Sequence, residues 1–135
     1  MAIEHGTFSL TLLPNNIIVA DAKGPWNIEA VDHYHNDVAA IVNGFAGNPW
    51  HHIAILRCET VFIPQVIARL EQHFLWRKQN NVQSDTTILT DSFSKNISKQ
   101  QITQIFEKLE MTHFFASDLD TALQQIAKLK AVTKN

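Results

Sequence analysis

Polar and apolar residues alternate strictly over Thr7-Phe8-Ser9-Leu10-Thr11-Leu12. A period of two predicts a half-buried strand with Phe8, Leu10 and Leu12 facing the core. Pro14-Asn15-Asn16 reads as a turn, and the apolar stretch from Ile17 to Ala22 as a second strand. So short a connection implies an antiparallel hairpin, which Gly24-Pro25 ends. The period then changes: Val31, His35, Val38, Val42 and Phe45 recur at helical spacing. Asn27 suits the N-cap of this first helix, and Trp26 with Val31 has the spacing of a hydrophobic staple. Gly44 and Gly47 stop it. Ile53-Ala54-Ile55-Leu56 is short and continuously apolar, the pattern of a central strand covered on both faces.

Pro64 fits the first position of a second helix, with Ile63, Ile67, Leu70 and Phe74 as its stripe and Gln79-Asn80-Asn81 as its end. Thr86 to Thr90 is rich in β-branched residues and predicts a fourth strand. Ser98 with Gln101 reads as a capping box opening a third helix, whose inner face is Ile102, Ile105, Phe106 and Leu109. His113 to Ala116 predicts a short fifth strand. Ser117 or Asp118 then caps a last helix that turns Leu119, Ala122, Leu123 and Ile126 inward. The order β-β-α-β-α-β-α-β-α predicts an α/β fold. A hairpin followed by βα units builds a mixed β-sheet, its later strands parallel through right-handed crossovers, packed with about four helices.

The 135 residues suit a single domain, 1–135, with an ordered core over about 6–131 and a frayed end from Val132 to Asn135. Hydrophobic content of 45% and charged content of 18% are those of an ordinary globular protein. A net charge of -2 gives no footprint for nucleic acid, and Lys128, Lys130 and Lys134 fit a helix C-terminus. The single cysteine agrees with a reducing compartment. No apolar run approaches the roughly 20 residues that span a bilayer. A cytoplasmic protein is the expectation.

Seven histidines raise the question of a metal. His33 and His35 point roughly 200° apart on a helix, and His51 and His52 face opposite sides of a strand. A site would have to combine one from each pair, such as His35 with His51. No recognised zinc spacing is present, so surface or internally satisfied histidines are expected, with no metal and no cofactor. Cys58 lies at a strand's C-terminal end, a common site position in α/β folds, but Arg57 beside it points to the other face. An inert, buried or half-buried thiol is expected there. No Ser-His-Asp order, glycine-rich phosphate loop or carboxylate pair assigns a catalytic residue.

The segment Cys58-Glu59-Thr60-Val61-Phe62-Ile63-Pro64 leads from strand to helix with no glycine and one hydroxyl, Thr60. Its apolar centre, Val61-Phe62-Ile63, either forms a surface patch or tucks Phe62 beneath the second helix. Advancing about 100° per residue places Trp76 nearly opposite the Ile67, Leu70, Phe74 stripe. It is exposed there unless the helix ends near it and the ring folds back.

The element order resembles the STAS domain, named for sulfate transporters and anti-sigma factor antagonists, and its stand-alone bacterial relatives. The resemblance covers nearly the whole chain. It is carried by the Gly24-Pro25-Trp26 turn before the first helix and by Asp118-Leu119-Asp120-Thr121-Ala122-Leu123 at the opening of the last. It implies a mainly non-catalytic domain that binds protein partners. In some members a Ser or Thr near the start of the second helix is phosphorylated. Here Ile63, Pro64 and Gln65 occupy those positions and Thr60 is offset toward the strand, so the phospho-switch is not carried over. Some relatives are associated with small apolar ligands or membranes.

The reading is a non-catalytic STAS-like interaction or regulatory module. Its partner would be a protein or a second copy, and its working surface Thr60, Phe62, Ile63 and Trp76. The alternative is a carrier or sensor of a small apolar ligand, held between the sheet and the first two helices by residues such as Phe45, Ile63 and Phe74. An enzyme using Cys58 or a histidine-bound metal ranks third.

Overall fold

In the computed structural model, residues 3–133 are described, with side chains to residue 129. Lys134 and Asn135 lie outside the described residues, and the side chains from 130 onward outside the described side chains. The hairpin is β1 (Thr7–Leu13) and β2 (Ile17–Lys23), followed by α1 (Ile28–Asn43), β3 (Trp50–Cys58), α2 (Pro64–Gln79), β4 (Val82–Ser92), α3 (Lys95–Lys108), β5 (His113–Phe115) and α4 (Leu119–Thr133). The sheet order is β1-β2-β3-β4-β5, with β1 antiparallel to β2 and every later pair parallel. This is the expected single-domain α/β fold.

Because the strands march in one direction, right-handed crossovers place α1, α2 and α3 on the same face. Strand alternation then divides the core in two. On one face Ile17, Val19, Ile53, Ile55 and Ile88 pack with Ala122 and Ile126 of α4. On the other, Ile18 and Trp50 pack with Val38 and Val42 of α1 and with Phe45. Farther along that face Val31, Val66, Leu70, Phe74, Ile102 and Phe106 meet between α1, α2 and α3.

Asn27 caps α1 as expected, its side chain accepting from the amide of Ala30 at 3.1 Å and donating to the carbonyl of Ile3 at 2.8 Å. Gly24 is demanded by a close approach: a Cβ there would lie 1.9 Å from the carbonyl oxygen of Glu59. The end of β2 and the loop after β3 therefore pack backbone on backbone. Leu12 departs from expectation. It is 54% exposed near the end of β1, the edge strand, while Leu13 reaches the core on the α4 face.

Candidate functional site: a cavity with a buried polar end

The loop after β3 turns inward. Thr60 is fully buried, its Oγ1 lying 2.5 Å from Ser92 Oγ and 2.6 Å from Ser98 Oγ. The amide of Phe62 donates to Gln101 Oε1 at 2.8 Å, and Gln101 Nε2 donates back to the carbonyl of Phe62 at 2.9 Å. Ser98 and Gln101 are therefore not the expected capping box. Helix α3 begins one turn earlier, after Ser94, and these two residues pin the loop. Phe62 tucks in and stacks on Trp26, with centroids 5.5 Å apart. Of the expected working surface, Thr60 and Phe62 are closed to a partner, and Ile63 alone stands out, 47% exposed.

Trp76 is half-buried. The inner face of α2 is not the Ile63, Ile67, Leu70, Phe74 stripe but Val66, Leu70, His73, Phe74 and Arg77. That rotation moves Trp76 from the far side of the helix to its flank. There it stacks on His73, with centroids 5.5 Å apart, and packs against Trp50 and His35 at 6.2 and 5.0 Å.

Beneath α1, α2 and α3 the sheet presents Ala20, Ala22 and Ala54, side chains too short to meet the helices. The space left is a cavity of about 90 Å³, roofed by Val31, Leu70, Phe74, Ile102 and Phe106 and flanked by Phe8, Trp26 and Phe62. Ala54 and Leu56 stay partly accessible in the central strand because they face this space. Of the expected lining only Phe74 takes part. Phe45 packs with Val38 and Trp50 instead, and Ile63 faces solvent.

One end of the cavity is polar. Tyr34, His52, Arg77 and Asp85 line it, from α1, β3, α2 and β4. Arg77 is the hub. Its Nη1 donates to Asp85 Oδ1 at 2.6 Å, its Nη2 to the Tyr34 hydroxyl at 2.7 Å, and its Nε to His73 Nε2 at 2.9 Å. Nη2 also approaches His52 Nε2 at 3.3 Å, and the Tyr34 hydroxyl makes a short contact with the same nitrogen. The guanidinium also lies over the Phe74 ring, 4.6 Å from its centroid.

These contacts fix the tautomers. A guanidinium only donates, so Nε2 of His52 and of His73 both accept, and each ring carries its proton on Nδ1. The Nδ1–H of His73 donates to Nδ1 of His35 at 2.9 Å. Among the described residues neither the Nδ1–H of His52 nor Asp85 Oδ2 has a hydrogen-bond partner, although both residues are almost wholly buried. Burial, with the Arg77 charge added, holds both buried histidines well below their ordinary pKa and keeps them neutral. Burial pushes the Tyr34 phenol up to about 12 and raises the Asp85 carboxyl, against the pull of Arg77.

The pairing that a metal site would have required, one histidine from each sequence pair such as His35 with His51, is not made: His35 meets His73, and His51 turns to the α4 face and bonds Ser84 at 2.8 Å. Among the described residues no three His, Cys, Asp or Glu side chains are arranged to hold a metal. Cys58 is half-buried at the end of β3. No described helix is long and apolar enough to cross a membrane. Compared with protein-family models, with curated proteins and with solved structures, the chain gives no match.

Proposed function

We propose that this domain binds a small, mainly apolar molecule in the cavity beneath α1, α2 and α3, as its carrier or sensor. The observation that carries this reading is the row Ala20, Ala22 and Ala54 at the centre of the sheet, facing aromatic and aliphatic side chains across about 90 Å³. Protein interiors are ordinarily packed to crystal-like density, so a partly open hollow of this size between sheet and helices is a chemical feature. Binding sites of this kind are concave, apolar and furnished with a few convergent polar groups. An apolar cavity of about 150 Å³ takes benzene, so by proportion this one fits an occupant of about four heavy atoms.

Ala54→Leu places an isobutyl group in the cavity. Native mass spectrometry of gently isolated wild-type protein is expected to show a discrete low-mass adduct that Ala54→Leu loses while keeping its circular dichroism spectrum. Wild-type protein free of adduct, whose cavity-lining amide signals are also unmoved by small organic probes, would defeat the reading.

A second reading is favoured by a separate observation. Ile63, Phe93 and Ile97 are 47%, 75% and 52% exposed. All three lie where β3 and β4 hand over to α2 and α3, joined by the bond from the Phe93 amide to the Cys58 carbonyl at 3.0 Å. Exposed apolar groups gathered at one rim are the material of a protein interface. They fit the interaction module that the STAS resemblance implies, with different anchors from Phe62 and Trp76. Under this reading Ile63→Glu with Phe93→Ser abolishes self-association or partner binding in sedimentation velocity and leaves the melting temperature within a few degrees. Unchanged association removes that surface.

A further inference from the structure

We propose that two copies of this chain pair through β1, edge to edge and antiparallel, so that the sheet of one continues into the sheet of the other. β1 ends the sheet order, and among the described residues its outer side pairs with no other strand and no loop backbone. Its seven residues match β2 one for one on the inner side, without a bulge, and so present their outward N–H and C=O groups in a regular row. Such a row is a template for another extended strand. Sheet edges are ordinarily blunted by charge, proline, a bulge or shortness. The opposite edge, β5, is three residues long. By contrast Thr7-Phe8-Ser9-Leu10-Thr11-Leu12-Leu13 contains no charged residue and no proline.

The strand is complementary to itself. A two-fold axis through Leu10 sets Leu10 opposite the partner's Leu10, Phe8 opposite the partner's Leu12, and Ser9 opposite the partner's Thr11. Pairing within one sheet keeps every residue on its own face. Phe8 flanks the cavity and Leu10 packs on the Val38 and Trp50 cluster, so the even positions stand on the side of α1, α2 and α3. Apolar residues therefore meet apolar residues there. The contact supplies what Leu12 lacks: it is 54% exposed in the single chain, and the partner's half-buried Phe8 comes to lie beside it. Because such an interface is isologous, the Phe8 and Leu12 pair forms twice, one on each side of the central leucines. On the other face Thr7, Ser9 and Thr11 are exposed hydroxyl residues, and the two-fold brings hydroxyls together. The electrostatics match as well, since a neutral strand sets no like charge against its copy. A second copy meets these demands by identity. This surface is distinct from the rim of Ile63, Phe93 and Ile97, and it forms whether or not the cavity is filled.

One strand pairing is a small interface, of the size found in transient complexes, so the expected state is a dimer that dissociates in the micromolar range. The test is sedimentation velocity of the full chain over a dilution series spanning that range, with amide hydrogen exchange at the same concentrations. Wild-type protein is expected to pass from dimer to monomer on dilution, and amides within Thr7–Leu13 to exchange faster as it does. Ser9→Lys with Thr11→Lys sets lysine against lysine twice across the two-fold. It is expected to raise the dissociation constant at least about tenfold. Ser9→Lys with Thr11→Glu sets lysine against glutamate at the same two places and is expected to restore the wild-type constant or tighten it. Both variants change exposed positions, so their circular dichroism spectra should match the wild type. Wild-type protein that stays monomeric throughout, with β1 exchange independent of concentration, would overturn the proposal. So would a dimer that neither variant weakens, or one that both weaken equally. A dimer removed by Ile63→Glu with Phe93→Ser and untouched by the β1 variants would also overturn it, and would place the contact at the other rim.

Discussion

Arg77→Met is expected to destabilise the domain by about 3–5 kcal/mol, the cost of removing one partner from a buried ion pair. The loss comes from orphaned acceptors. Arg77 donates to Asp85, Tyr34, His52 and His73 from a position 3% exposed. Methionine fills a similar length of space and keeps contact with Phe74, so the change isolates the lost hydrogen bonds and charge. Asp85 is then a buried carboxyl with no cation, and His73 Nε2 an acceptor with no donor. Against a total stability of about 5–15 kcal/mol, such a loss moves the urea midpoint far enough to bring the variant to the edge of folding. The double variant Arg77→Met, Asp85→Leu removes both charges and is expected to recover much of the loss, since a buried pair replaced by apolar residues is often neutral or stabilising. A loss below about 1 kcal/mol for the single variant, with the urea slope unchanged, would mean that the polar end is solvated and the cavity open to water. Both the binding of an apolar molecule and this loss of stability require the polar end to be dry.

The frame of the domain was legible because period and punctuation agreed. The Thr7–Leu12 alternation, the Asn27 cap and the apolar Ile53–Leu56 run each name their element, and the strand order follows from short connections and crossover handedness. The site was not legible in the same way, because its residues come from four elements that meet only after folding. Two signals were nevertheless in the chain. His73 and Arg77 fall at three and seven residues from Leu70, the spacing of a helix inner face, so α2 carries polar groups on its buried side. Reading the stripe from apolar residues alone, Ile63, Ile67, Leu70 and Phe74, rotates the helix and sends Trp76 outward. Likewise Asp85 stands directly before the β-branched run Thr86-Thr87-Ile88, in a strand that extends from Val82. A carboxylate inside a central strand needs a buried cation, and Arg77 is the one that reaches it. The alanines were visible as well, but small residues in a strand say nothing about what lies above them. The cavity is a property of the helix layer, whose height is fixed by Leu70, Phe74 and Phe106.

Acidification is expected to unfold the domain well above the pH at which ordinary surface carboxylates titrate. His52 and His73 are held neutral by burial first and the Arg77 charge second, and His113 is lowered to about 4 by the same two causes in the same order. The groups facing them are Tyr34 and His35 of α1, Arg69 and Arg77 of α2, and Asp85 of β4, and the only carboxylate among these is already committed to Arg77. A proton added to His52 or His73 would set an N–H against a guanidinium that can only donate. The sign follows from linkage. Each folded pKa lies below the unfolded value of 6.5, so the unfolded chain binds more protons, and stability present above 6.5 is lost as pH falls below it. One unit below its unfolded pKa each such histidine contributes a loss of about 1.4 kcal/mol, so the three together remove about 4 kcal/mol near pH 5.5. Asp85 acts in the opposite sense. Its carboxyl is raised above 3.8, so the folded state binds a proton first and regains stability as pH falls through that lower window. Urea unfolding at pH 7.5, 6.5 and 5.5 checks the prediction. The midpoint should fall steeply across the last interval, and His73→Gln should reduce the slope by about one proton because glutamine offers Arg77 an acceptor that does not titrate. A midpoint level from pH 7.5 to 5.5 would show that these rings reach water, and that the network around Arg77 is a surface feature.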